Sequence, residues 1–436
     1  MSERTKIQVF DYIVIGGGIS GLYSVQKLLE KYNNTKTILL IDERSYFGGR
    51  LLTNNRPQFE IGGARFNDNH ILLKSLLKMY NEPYTKIPSR TDYIQKDGDI
   101  VSYYKDSDET FSCIMKRIIE KSKSCSKQKL RSMTLAEFID EISESNEMSQ
   151  KLINIFGYNT EFTKMNALDS IESMNNDFIS TNFHVLNNGF SHLMDAMHRS
   201  LSSRMNVEMY NFTQALNMKK RQDKTTMYDI ITKNTKTERR KVYRTKHVIF
   251  AIKAGQLSQF SLLSKIHPEL KCIHGAPLLR IYARYPQQKS RYNGPWFKNL
   301  PRMTTNSFLR HIIPINPSNG LIMISYTDGD DIRPFYEVDE KTGRINTKKL
   351  KSDNEIKKMI SCELDIIFPG LVIPKPVYFK AYLWHVGAHH WKPMCNSSKI
   401  IRRVQKPLKN VYVVGEAVSH KQAWVEGALE SVHNVM

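Results

Sequence analysis

The 436-residue chain has no long apolar run, only 5 cysteines and a shortage of acid. No stretch approaches the ~18 consecutive apolar residues of a membrane-spanning helix. The segment 1–6 lacks the apolar core of a secretory signal, and the first apolar run begins at position 10. The expectation is an intracellular, cytoplasmic protein. Cys113, Cys125, Cys272, Cys362 and Cys395 include no CxxC pair, which argues against a disulfide framework or a zinc site and predicts free thiols and no metal. Acid is the scarcer charge: 43 Asp+Glu face 64 Lys+Arg, a net +21. Such a balance attracts acidic partners. The basic residues are dispersed, however, with short clusters at 121–131, 219–224 and 239–241 that lack the interleaved aromatics of a single-strand binder. A solvated basic surface is favoured over nucleic-acid binding. Abundant Lys, Asn and Ile suits an AT-rich genome; if that genome were a large DNA virus, packaging in the virion would be a further location.

What is present begins with a motif. The apolar run 10–15 leads into Gly16-x-Gly18-x-x-Gly21, and a second run, 38–41, ends at Asp42. A strand, a glycine-rich turn, a helix over 20–32 and an acid at this distance form a dinucleotide-binding βαβ unit. Gly16 permits the turn, Gly18 lets a pyrophosphate approach the backbone, and Gly21 allows close helix-strand packing, with the phosphates on the helix N-terminus. Asp42 is placed to accept the ribose hydroxyls. Downstream, Gly48-Gly49-Arg50 folds back under the cofactor with a guanidinium beside the phosphates. NAD-binding domains have no need of that segment.

Near the far end, the strand 410–414 is followed by Gly415-Glu416, and Ala423-Trp424-Val425-Glu426-Gly427-Ala428 opens a last helix. The combination resembles the flavin-dependent amine oxidase superfamily, which includes monoamine oxidases, polyamine oxidases and L-amino-acid oxidases. The resemblance implies noncovalent FAD, because the cysteine that tethers the flavin in monoamine oxidases is replaced here by Ala388. It assigns to the cofactor Gly16, Gly18, Ser20, Gly21, Asp42, Glu43, Gly49, Arg50, Gly63, Ala64, Arg65, Gly415, Glu416, Trp424, Val425 and Ala428.

The implied fold is α/β (α+β): a discontinuous Rossmann-type FAD-binding domain over 1–78, 183–268 and 396–436, with a substrate domain of mixed sheet and helices inserted as 79–182 and 269–395. Helical spacing is visible at 69–80, 135–142, 148–156 and 354–368. The Lys/Ser-rich stretch 120–132 reads as an exposed loop. From 207 the period shifts to two, predicting a meander of 207–210, 226–232 and 241–243 that returns to 248–252, then a second β-rich block with 278–285, 308–313 and 321–326. The resemblance fades between about 97 and 177.

Flavin-dependent amine oxidation transfers hydride from the carbon bearing the amine to flavin N5, and the imine then hydrolyses in water. The protein's task is positioning and desolvation. Trp424 stands as one wall of the aromatic cage. At the other wall, where the family commonly has tyrosine, the chain reads Gly387-Ala388-His389, so the wall is a titratable histidine or His389 is a surface or packing residue after a strand. In Phe59-Glu60-Ile61-Gly62-Gly63-Ala64-Arg65-Phe66, Arg65 falls where L-amino-acid oxidases grip the substrate carboxylate, a task suited to a guanidinium fork. Tyr326 resembles the tyrosine that donates a second hydrogen bond to it. The alternative is that Arg65 pairs with Glu60 as scaffold and Tyr326 is core. Arg280 stands where the family places a lysine near N5; it keeps the charge but cannot shuttle protons.

The leading expectation is therefore oxidation of an L-amino acid to a 2-oxo acid with ammonia and hydrogen peroxide, the partners being a small amino acid or amine and molecular oxygen. An amine or polyamine oxidase is the alternative, as is a flavin-binding structural or interaction protein with a decayed site. The assembly state stays open, with a homodimer among the options.

Overall fold

The computed structural model describes residues 7–145, 147–179, 181–222, 226–287, 294–339 and 342–436. The segment 1–6 and the 223–224 end of one basic cluster lie outside the described residues. The chain divides into two compact units, Met1–Ile87 with Phe183–His274 and Cys395–Met436, and Pro88–Asn182 with Gly275–Met394. No helix among the described residues is long and apolar enough to cross a membrane.

The first unit is built on a seven-stranded sheet. Ile38–Ile41 is buried along all four residues, as expected of a parallel strand covered on both faces. It pairs in parallel with Gln8–Ile15, which pairs in parallel with Arg240–Phe250. The helix Ile19–Lys31 buries Leu22, Val25, Leu28 and Leu29 at three- and four-residue spacing. It stops where Asn33 and Asn34 turn left-handed, at φ 48° and 60°.

The expected meander is realised differently. Val207–Tyr210 extends the parallel edge beside Ile38–Ile41. The antiparallel strands are Thr213–Lys220, which the sequence did not announce, then Tyr228–Asn234 and Arg240–Phe250. The stretch 241–243 and the first three residues of 248–252, read separately, belong to one strand of 11 residues that ends at Phe250. In its polar middle the buried Thr245 hydroxyl donates to the Asp11 carbonyl at 2.9 Å, which gives that side chain a partner inside the ladder. Tyr228–Asn234 borders the first half of this long strand, and Val411–Val413 borders its end in parallel.

The second unit holds a seven-stranded sheet in the order Tyr378–Trp391, Ile273–Arg284, Leu321–Asp328, His311–Asn316, Arg302–Thr305, Thr91–Asp97, Ile100–Tyr104. Leu321–Asp328 is buried at all eight positions. The helix Asp353–Ile367 packs on Tyr378–Trp391, and Ile356, Ile360, Leu364 and Ile367 join the sheet's apolar core. Ser107–Ser122, Leu135–Ser143 and Met148–Phe156 supply a separate helical core around Phe111, Phe138 and Leu152. The stretch expected as a loop over 120–132 contains a helix, Lys127–Ser132. Ser126 caps it by accepting from the Lys129 amide at 3.1 Å. Lysine and serine marked the surface correctly, but the cap decides the backbone.

The cysteines require a correction. Cys272 and Cys395 are joined in a disulfide within the first unit, with Cα atoms 5.8 Å apart, while Cys113, Cys125 and Cys362 are free. The spacing of 123 residues hid the pair, since spatial neighbours need no sequence motif. Arg403 reaches Glu269 at 2.9 Å beside the same crossing. Thiol titration of denatured, unreduced protein should therefore count three thiols, rising to five after reduction. Cys272→Ser should cost roughly 2–4 kcal/mol in denaturant unfolding. Five thiols before reduction would refute the bridge.

Candidate functional site

The glycine-rich turn joins Gln8–Ile15 to Ile19–Lys31, and its geometry is set by contact distances. A Cβ at Gly21 would lie 1.9 Å from the Gly16 carbonyl oxygen, so the helix approaches its strand only because that position is bare. Gly18 faces the other way: the nearest atom to a Cβ there is Gly49 Cα at 3.9 Å. At Gly415 the nearest is Ser20 Oγ at 4.0 Å. No side chain caps the helix at Gly18, which leaves its first-turn amides to meet an anion. Open backbone at Gly18 and Gly415, tight packing at Gly21 and an uncapped N-terminus together fit the pyrophosphate of a dinucleotide.

Asp42 closes one side. Its carboxylate accepts from the Gly17 amide at 2.7 Å and the Arg44 amide at 2.8 Å. Burial pushes its pKa above the ordinary carboxylate value, against the pull of these two amides and the nearby Arg44 charge. Each oxygen keeps a lone pair, so acceptance of ribose hydroxyls remains compatible. Glu43 is oriented by two side-chain amides, Gln256 at 3.1 Å and Gln214 at 3.2 Å. Arg44 donates to the Gly49 carbonyl at 2.8 Å and fixes the double-glycine turn.

Arg50 and Glu416, read from opposite ends of the sequence, meet in an ion pair at 2.5 Å. Gly63 donates its amide to the Arg50 carbonyl at 2.9 Å, so the segment leading to Arg65 also supports Arg50. The Gly415 amide is held by the Ser431 hydroxyl at 2.7 Å.

Trp424 follows Ala423, whose φ of 66° lies in the left-handed region that alanine disfavours. Two contacts hold the bend. A Cβ at Gly427 would sit 2.0 Å from the Lys421 carbonyl oxygen, so the turn closes on the start of the helix Val425–His433. The buried Glu426 carboxylate accepts from the Leu72 and Leu73 amides at 2.8 and 2.9 Å, capping the helix Ile71–Met79. Trp424 then stacks on Phe183 with centroids 6.1 Å apart and planes at 15°, and meets His70 edge-on at 5.0 Å. The Arg65 guanidinium lies over the other partner, 4.4 Å from the Phe183 ring. Arg65 and Trp424 are thus brought together through Phe183, a residue no motif marks. Glu60, the scaffold partner considered for Arg65, accepts from the Phe190 amide at 2.8 Å and the Thr53 hydroxyl at 2.9 Å.

In the second unit Arg280 and Tyr326 also come together. They are cross-strand neighbours, with the guanidinium 4.5 Å from the tyrosine ring and Nη2 donating to the hydroxyl at 3.3 Å. Burial opposes the charge on Arg280, but the oxygens of Tyr326, Tyr282 and Tyr158 outweigh it and hold the pKa above its ordinary value. Tyr158 packs edge-on against Tyr326 at 5.2 Å and tilted, at 46°, against His311 at 4.5 Å. The strand end is fixed by Asp328, whose two oxygens accept from the Asn159 and Thr160 amides at 2.8 Å each. His389 lies inside the strand Tyr378–Trp391, not after it, and is buried with His390. Tyr158 and His311 carried no sequence signal, whereas Glu426 stood within a quoted motif.

Residues 14–80 match the NAD(P)-binding Rossmann-like domain family. An uncharacterized protein of Acanthamoeba polyphaga mimivirus is 21% identical, over 98% of this chain and 93% of that protein. A double variant of putrescine oxidase from a redesign of cofactor binding superposes with a TM-score of 0.72 at 14% identity, covering 99% of both chains. A triple variant from the same redesign gives 0.73 at 14% identity, covering 98% of both. The chain therefore carries a Rossmann-like domain over residues 14–80 and shares its overall fold with the putrescine oxidase structures.

Proposed function

We propose that the protein binds FAD noncovalently and oxidises the carbon-nitrogen bond of an L-α-amino acid, with oxygen as electron acceptor. The observation that carries the substrate class is the stack of Arg65 on Phe183 and of Phe183 on Trp424, which holds a guanidinium in a fixed pose beside the indole. A planar donor fork held in this way suits bidentate capture of a carboxylate. The fold shared with putrescine oxidase variants favours a second reading, in which the substrate is an amine without a carboxylate.

Bound FAD would supply the hydride acceptor. The chain's own residues bind and orient. The helix N-terminus at Gly18 and the Arg50 guanidinium meet the phosphates, and Asp42 meets the ribose. Glu416 keeps Arg50 in place through their ion pair. Trp424 and His389 are assigned the flat surfaces that guide the amine. Tyr326 is assigned the second hydrogen bond to the substrate carboxylate, and its hydroxyl oxygen accepts from Arg280. Arg280 keeps its charge at any accessible pH, so its assigned role is to stabilise the negative charge that builds up as oxygen is reduced, with no proton to give.

Three measurements test this. Acid precipitation should release all flavin to the supernatant, and flavin left on the pellet would contradict noncovalent binding. Arg65→Met should weaken an L-amino acid by roughly 2–5 kcal/mol in steady-state kinetics while sparing FAD affinity and a simple amine. Equal losses for both substrate types would make Arg65 scaffold and move the amine reading ahead. Arg280→Met should slow the reaction with oxygen in stopped-flow traces more than the reduction by substrate. Arg280→Lys separates charge from the stack on Tyr326 and should restore much of the rate. A Met variant that reoxidises at the parent rate would end this assignment.

A further inference from the structure

Beyond the residues of the fingerprint, one cation beside the dinucleotide cradle has no assigned task. Lys253 follows the long strand Arg240–Phe250 on the segment that abuts the fingerprint turn: a Cβ at Gly16 would lie 2.4 Å from the Ala251 carbonyl oxygen and 3.0 Å from Ile252 Cγ2. Its amide donates to Gln256 Oε1 at 3.3 Å, and Gln256 in turn donates to Glu43, so the lysine is tied to the loop after Ile38–Ile41. Lys253 is half-buried and makes no ion pair among the described residues. The charges facing it are Arg50 and Arg44, which repel it, and Glu43, which attracts it. Glu43 is shared with Gln256 and Gln214, Arg50 is paired with Glu416, and Asp42 is engaged by two backbone amides. Three cations grouped in a partly desolvated spot beside an uncapped helix N-terminus repel one another, and a further anion placed among them relieves that cost.

We propose that Lys253 is a third cation of the cofactor site, contacting the phosphates of the bound dinucleotide together with Arg44 and Arg50. This rests on the FAD reading above and adds a residue to it. Burial, Arg50 and Arg44 lower the lysine's pKa to about 8 in the ligand-free protein, with Glu43 opposing. Binding of a phosphate dianion favours the charged ammonium and raises that pKa. The charged form is therefore the tighter binder, and affinity conferred by Lys253 is present below about pH 8 and fades as pH rises through the bound-state value.

The test is titration of apoprotein with FAD, followed by flavin fluorescence at pH 7.0 and at pH 9.5, with calorimetry in two buffers of different ionisation enthalpy near pH 8. The unmodified protein should weaken several-fold across that range and take up a fraction of a proton on binding. Lys253→Met should bind roughly tenfold more weakly at pH 7.0, with little further loss at pH 9.5 and no proton uptake. Lys253→Arg should stay tight at both pH values, also without proton uptake, and it keeps the test decisive if the Met variant does not fold. A Met variant that matches the parent at pH 7.0, or an Arg variant that retains the parent's pH dependence and proton uptake, overturns the proposal. Failure of the unmodified protein to bind FAD overturns the cofactor reading itself, and the parent titration separates that outcome from failure of the lysine alone.

Discussion

The arrangement of the first unit depends on the contact between Gly21 and the Gly16 carbonyl. Any side chain at position 21 would push the helix Ile19–Lys31 away from its strand, because a Cβ would meet that oxygen at 1.9 Å. With the helix seated, its amide-rich end is aimed over the turn, Gly18 lies against Gly49, and Asp42 comes within reach of the Gly17 amide. The double-glycine loop is then fixed by Arg44, and the Arg50 that follows it reaches Glu416. All of these contacts except the Arg50–Glu416 ion pair involve a backbone group.

The second unit solves a different problem, the burial of polar groups within a strand covered on both faces. Ser325, Tyr326, Thr327 and Asp328 all lie in the interior. Ser325 donates to the Leu309 carbonyl at 2.9 Å, and Asp328 caps the turn at 159–160. These anchors fix the pose of Tyr326 and, through it, of Arg280. A side chain held on both sides in this way is preorganised, which is what electrostatic stabilisation of developing charge requires.

The sequence was most legible where chemistry and backbone coincide. Gly16, Gly18 and Gly21 declare a tight turn, and the strand and helix around them lie where their apolar spacing put them. It was least legible where a contact spans the chain. Phe183 has no motif, yet it links Arg65 to Trp424. Cys272 and Cys395 look unrelated until the fold joins them. Thr213–Lys220 and the polar middle of Arg240–Phe250 became strand because neighbouring ladders supplied partners, an influence that periodicity cannot register. His389 reads in the sequence as a residue after a strand, whereas the strand Tyr378–Trp391 continues through it and buries it.

The disulfide gives the second half of the molecule an unusual connectivity. Cys272 and Cys395 stand where the chain leaves the first unit for the segment Gly275–Met394 and where it comes back. The chain from Cys272 to Cys395 is thereby a covalently closed ring. A protease that nicks the ring once leaves one molecule with two new termini and no detached fragment, so the strand Val411–Val413 and the turn carrying Trp424 stay tethered to the fingerprint strand. Reduction removes that insurance, and the same nick then divides the protein in two.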